Sequence, residues 1–262
     1  MPRAALLLAL AATLAACDTS TTEPPDPDGP IIETCSGPPF AGTAFLTPDL
    51  ITPSDPTTFT GATDAGRGQR EMFDRRVNGW VTLNAYLVRA TFSDGPAVEV
   101  QVNPEFGSAE AAMAQAMRFA PVIGRLPRAL RTDVRTVWIH RGANPFGGGN
   151  NNLLIHTEQA DSYDELGAIE EILAHEAAHT SLDAAHAASA GWRAAQRADG
   201  CFASQYAREN PTREDVAETV VPYLALRHRP ASLTDEQRAA FEEAVPARIA
   251  YFDGLGLSFA LP

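Results

Sequence analysis

The chain contains no lysine: all 20 basic residues are arginine, set against 33 acidic ones for a formal charge of −13 over 262 residues. Nor are those arginines gathered into a basic cluster. Nucleic acid and anionic lipid both need concentrated positive charge on the protein, so both modes of binding are argued against. Cysteine is scarce, with three residues in all, and there is no internal repeat. The apolar run from Ala4 to Ala16 is too short to span a bilayer comfortably. What is present is a 45% hydrophobic chain, long enough for one sizeable core or a core with a small subdomain.

The first residues, MPRAALLLALAATLAAC, have the make-up of an export signal, with Arg3 as the positive start and an apolar stretch behind it. Its end, LAAC, resembles the bacterial lipobox. That resemblance implies cleavage after residue 16 and acylation of Cys17, placing the protein in the bacterial cell envelope on the periplasmic face or the cell surface. Several acyl chains hold a soluble domain firmly where one would not. The plainer alternative is a secretory signal ending near Ala16, with Cys17 incidental. Residues 17–39 are rich in Thr, Pro and Asp and too poor in apolar groups to fold, which predicts a disordered tether ahead of a domain over 40–262. Cys35 and Cys201 then remain. In an oxidising compartment they are expected to pair; the alternative is that Cys35 serves as a removable thiolate ligand to a metal.

Along the domain, Phe40 to about Gly68 is dense in Pro, Thr, Asp and Gly and predicts loop with short strand pieces. Two strands are expected around the Ser-Asp-Gly-Pro turn at 93–96, and two more around the Gly/Asn-rich connection at 142–151. Ser108 is placed to cap an amphipathic helix. One long helix is expected from about Tyr163, a second from Pro211 or Thr212 with Pro222 kinking or ending it, and a last one capped by Ser232 or Thr234. Strands in front and helices behind give an α+β class, one domain of one or two lobes.

The chemistry gathers in EILAHEAAHTSLDAAH, residues 171–186. On a helix, His175 and His179 project from one face a turn apart and can offer nitrogens to one ion. Two histidines and a third protein ligand are how catalytic zinc is held with a position left for water. Glu176, beside that position, can take a proton from the water and later hand it to a leaving amine. His186 would lie about 10 Å along a continuing helix from His179, too far to share an ion. It also misses the metzincin pattern, because Leu182 stands where that pattern has glycine. Asp183 is better suited to a hydrogen bond or ion pair behind the site. In REDVAETV, Glu214 and Glu218 are four apart, so a second helix crossing the first could bring Glu214 to the metal and set Glu218 behind a histidine. His140, His156 and His228 are more simply satisfied or exposed.

Taken together, HEAAHTSLD and YARENPTREDVAE resemble the gluzincin metallopeptidases, closest to the anthrax lethal factor-like branch, over residues 164–226. The resemblance implies a zincin-like fold. It implies that His175, His179 and Glu214 bind Zn2+, that Glu176 is the general base and that Glu218 lies behind the ligands. Tyr206 would stabilise the oxyanion, although its spacing to Glu214 departs from the family's by about one residue. It further implies an edge strand upstream that binds the substrate backbone, placed at Asn152, Leu153, Leu154, Ile155 and His156. The expected protein is a monomeric, membrane-tethered zinc metallopeptidase acting on peptide or protein. The alternatives are a zinc-binding lipoprotein without peptidase activity and a zinc amidase acting on cell-wall peptides.

Overall fold

The computed structural model describes residues 31–262, so the expected export signal, Cys17 and the predicted tether up to residue 30 lie outside the described residues. The fold is α+β, as expected. Its sheet begins with β1 (Phe59–Asp74), a long strand where the last third of the stretch from Phe40 to Gly68 was expected to be loop with short strand pieces. The long stretch of partnering with β2 (Gly79–Phe92), from Phe59 opposite Phe92 to Asp74 opposite Gly79, overrides a composition poor in strand formers. β3 (Val98–Val102), β4 (Thr136–His140), β5 (Gly147–Gly149) and β6 (Asn152–His156) complete it in the order β1-β2-β3-β4-β6-β5. Strands β1 to β3 are antiparallel, β3, β4 and β6 run parallel, and β5 turns back antiparallel on β6.

Alternation along the strands builds a core on each face. Val88, Val100, Ile139, Leu153 and Ile155 point to the helices and join the main core, while Leu87, Trp138 and Leu154 point the other way into a smaller cluster with Met72 and Ala85. Burial on both faces is why β6 reads as a continuous apolar run.

α1 (Ala109–Arg125) starts at the expected cap, the Ser108 hydroxyl accepting from the Ala111 N–H at 3.1 Å, and the single turn α2 (Arg128–Arg131) follows. The long helix expected from Tyr163 is broken into α3 (Thr157–Glu165), α4 (Ile169–Ser181), α5 (Asp183–His186) and α6 (Ala190–Asp199). Gly167, at φ 65°, turns the chain between α3 and α4, and the Ser189 hydroxyl caps α6. After α7 (Gln205–Glu209), α8 (Asp215–His228) runs through Pro222 instead of ending there. α9 (Asp235–Ala244) opens on a capping box between Thr234 and Gln237, and α10 (Pro246–Gly254) closes the order. Among the described residues no helix is long and apolar enough to cross a membrane.

α4 has no exposed stripe because it lies between the sheet and α8, with Ala174, Ala177 and Ala178 fully buried and thin enough to let both approach. The Cys35–Cys201 disulfide is formed, with Cα atoms 5.6 Å apart, and Thr34 N–H donates to the Gly200 carbonyl at 2.8 Å, so the end of the predicted tether lies on the domain. Beside Cys201, the fully buried Arg248 donates to Asp199 at 3.1 Å, to Asp215 at 2.9 Å and to the Cys201 carbonyl at 2.8 Å.

His140 and His156 are both wholly buried at the ends of β4 and β6, with Asp74 3.8 Å from a nitrogen of each. His140 meets Asn103 at 2.9 Å, but both ring nitrogens of His156 are without a hydrogen-bond partner, unlike the satisfied histidine expected. Burial pushes His140 down to about 4 despite Asp74. An unfolded histidine takes its proton near 6.5, so the stability held by neutral His140 is present above that pH and lost as pH falls toward 4. Urea unfolding at pH 7 and pH 5 is expected to show wild type losing roughly 2 kcal/mol more than His140→Phe over that interval. Equal losses in the two proteins would remove His140 as the source.

Candidate metal centre

α4 carries His175 and His179 on one face, and the chain returns 35 residues later with Glu214 as the residue that starts α8. Nε2 of His175 and Nε2 of His179 are 3.1 Å apart, Nε2 of His179 and Oε2 of Glu214 3.1 Å, and Nε2 of His175 and the same oxygen 3.6 Å. Tetrahedral ligands about 2.0–2.1 Å from one ion would stand about 3.3 Å from each other, so the triangle has the dimensions of a metal site. His175 and Glu214 are buried and His179 nearly so, and together the three residues could hold a metal ion.

The charges fit that use. Burial alone would depress His179, but the carboxylates of Asp183 and Glu214 override it and raise the imidazole to about 10. Glu214 is buried as well, which favours its neutral form, yet the two histidines hold its carboxyl well below the usual range.

Behind the triangle each ring has a carboxylate. Asp183 Oδ2 meets His179 Nδ1 at 2.6 Å, and Glu218 Oε1 lies 3.5 Å from His175 Nδ1. Glu218 is itself fixed: its Oε1 accepts from Thr43 N–H at 2.7 Å and from the Thr43 hydroxyl at 2.9 Å, and its Oε2 from Ser204 at 2.6 Å. Such outer partners set ring orientation and basicity. Thr43 belongs to a strap, residues 42–47, that sequence reading missed. Thr43, Ala44 and Phe45 all have positive φ (48°, 60° and 65°), a conformation that is costly for residues other than glycine. The turn it makes also aims the N–H groups of Leu46 and Thr47 at Glu171, each at 3.0 Å. Burial pushes the Glu171 carboxyl up to about 7 against those two bonds. Gly42 is required before the strap, since a Cβ there would come within 2.6 Å of Glu218 Oε2 and 2.8 Å of the Ser204 hydroxyl.

Tyr206 is brought in by the same region. The N–H groups of Gln205 and Tyr206 donate to the carbonyls of Phe40 and Ala41, and the Tyr206 hydroxyl sits 3.4 Å from Glu214 Oε1. Glu176 lines the open cleft in front of the triangle, a space of about 660 Å3 bordered also by Arg75, Phe146, Gly148 and Tyr206. The chain thus gathers His175, Glu176, His179, Asp183, Tyr206, Glu214 and Glu218 at one place. His186 is not among them: α4 stops at Ser181, and His186 bonds the Tyr251 hydroxyl at 2.8 Å.

The expected substrate strand is corrected. Asn152–His156 is β6, an interior strand between β4 and β5, with every residue buried. The edge at the cleft is β5, Gly147–Gly149. The signal for it was present as GGG followed by Asn150 and Asn151, both at positive φ (51° and 57°), a two-residue hairpin turn. Three glycines offer no side-chain pattern, which is why they read as connection. Thr180 of α4 knits this hairpin to the helix, its hydroxyl accepting from Gly149 N–H at 2.9 Å and lying 2.8 Å from the Asn152 carbonyl. Comparison of the chain with protein-family models, with curated proteins and with solved structures finds no match.

Proposed function

We propose that this protein is an exported, membrane-tethered zinc metallopeptidase of gluzincin type. The observation that carries the reading is the convergence of His175, His179 and Glu214 at ligand spacing behind a cleft that Glu176 lines. Two histidines and a carboxylate suit zinc, with one position left open. Bound there, zinc would supply Lewis-acid polarisation of a carbonyl and acidify water at neutral pH. Glu176 then takes the proton as water attacks the peptide carbonyl and returns it to the departing amine. Tyr206, rotated from its contact with Glu214, donates to the oxyanion as it develops. Asp183 and Glu218 keep the two imidazoles facing inward. Export is supported by the N-terminal sequence and by the Cys35–Cys201 disulfide, which suits an oxidising compartment.

The test is metal content of the purified protein with peptide hydrolysis measured beside it. Wild type is expected to hold one zinc and to cleave a mixed peptide library, with chelation abolishing and zinc restoring cleavage. Glu214→Gln removes a ligand, so its metal affinity should fall beyond the roughly 10–100-fold typical of outer partners. His186→Ala should keep full zinc, because its ring bonds only Tyr251. Loss of zinc in His186→Ala would overturn the ligand set. A zinc-loaded wild type that cleaves no peptide would leave a metal-binding module, and cleavage confined to muropeptides would make it an amidase.

A further inference from the structure

The sheet face turned away from α4 carries a second cavity, about 270 Å3, lined by Phe73, Trp80, Trp138 and Leu154 together with the β5 glycines. It is built rather than incidental. Trp138 is fixed by its indole N–H, which donates to Gln101 at 2.9 Å, and Trp80 meets it edge-on at 5.3 Å with Phe73 on its far side at 5.6 Å. Trp80 nevertheless remains 52% exposed at the mouth. A large aromatic left open at the mouth of a hollow marks a surface that gains by covering.

This cavity adjoins the metal cleft. Arg75, Gly148 and Gly149 border both, so β5 is a thin wall between them. The wall has no side chains: a Cβ at Gly149 would meet nothing within 4 Å, and one at Gly147 only the end of Arg75 and Leu154. β5 is also the sheet edge, paired on one side with β6 alone. A peptide added along that edge would be extended, and its successive side chains would point to opposite faces. One would enter the metal cleft and its neighbour would pass over the glycines toward Trp80.

We propose that Phe73, Trp80, Trp138 and Leu154 form a specificity pocket for an aromatic or large aliphatic side chain of the peptide substrate, adjacent in sequence to the residue held at the metal. This inference rests on the peptidase reading, with β5 as the docking edge. The occupant follows from Phe73, Trp80, Trp138 and Leu154, which offer aromatic faces and aliphatic surface, the Trp138 indole N–H being already used by Gln101, while Arg75, Asn150 and Asn152 complete the lining.

The test measures cleavage and binding separately. Peptides varied one position at a time across the cleaved bond, Phe or Leu against Ala, are given to wild type and to Trp80→Ala. Wild type is expected to prefer the large residue at one position by roughly 10–100-fold in kcat/KM, and Trp80→Ala to reduce that ratio at least fivefold. In parallel, the same peptides are bound to Glu176→Gln, with and without Trp80→Ala, and followed by tryptophan fluorescence. Cleavage with an unchanged ratio in Trp80→Ala overturns the pocket and leaves the peptidase reading standing. No cleavage, but Trp80-dependent binding of the large-residue peptides, supports the pocket and sinks the peptidase. Neither cleavage nor binding preference overturns both. Trp138→Phe, which keeps an aromatic ring but narrows the wall and removes the N–H bonded to Gln101, guards against misfolding at Trp80 and is expected to weaken the same preference.

Discussion

Glu176→Gln is expected to lower peptide hydrolysis by about 10²–10⁴-fold while leaving zinc content and melting temperature unchanged. Glutamine matches glutamate in shape but cannot accept a proton from attacking water. The carboxylate is not one of the three groups that converge on the ion, and it lines the cleft rather than the core. The loss should therefore fall on kcat, with peptide affinity preserved. Initial rates on the best library peptide, with zinc measured on the same sample, decide the matter. A variant that keeps more than a tenth of wild-type activity would move the proton-transfer role to another residue.

Among the described glycines, an added Cβ meets its closest obstacle at Gly148, so Gly148→Ala should have a large structural effect. Its new Cβ would overlap the carbonyl oxygen of Glu176 and lie 2.7 Å from the carbonyl carbon, both of them backbone atoms of α4. Helix and edge strand cannot both stay in place. Overpacking of this kind costs about 1–3 kcal/mol, equivalent to a melting temperature lower by roughly 3–10 °C in a domain of this size. Because the displaced carbonyl belongs to the residue after His175, metal affinity should fall with it. Gly147→Ala is the control: its Cβ would meet the guanidinium end of Arg75 at 3.0 Å and Leu154 at ordinary contact distance, no backbone atom among them, so both readouts should stay near wild type. Equal behaviour of the two variants would mean that β5 is not wedged against the helix as described.

The metal centre was legible because its parts are periodic. His175 with His179, and Glu214 with Glu218, repeat at the helical spacing of four, and that spacing survives whatever the surrounding fold does. The crossing of α4 and α8 was reached through the need for a third ligand and then through resemblance, since no local pattern specifies which helices meet. The sequence was silent where backbone does the work. β5 acts through having no side chains, and the strap acts through left-handed φ at Thr43, Ala44 and Phe45, residues that carry no such preference. β1 was missed because its order comes from β2, 33 residues on in the pairing of Phe59 with Phe92 at its start. The helix from Tyr163 was read as continuous because alanine and leucine favour helix on both sides of the breaks at Gly167, Leu182 and Ser189, and those breaks are tertiary in origin.

The position of the disulfide has a mechanical consequence. A pull on the chain from its N-terminal side reaches Cys35 before it reaches Gly42 and Thr43. There the covalent bond diverts the force to Cys201, whose carbonyl is gripped by Arg248, and so into Asp199 and Asp215 at the roots of α6 and α8. The strap that holds Glu218 behind His175 lies beyond that branch point and is spared the load. Drag on an anchored molecule would be absorbed in the scaffold, and the imidazole nearest the cleft would keep its orientation whether the chain is moored or free.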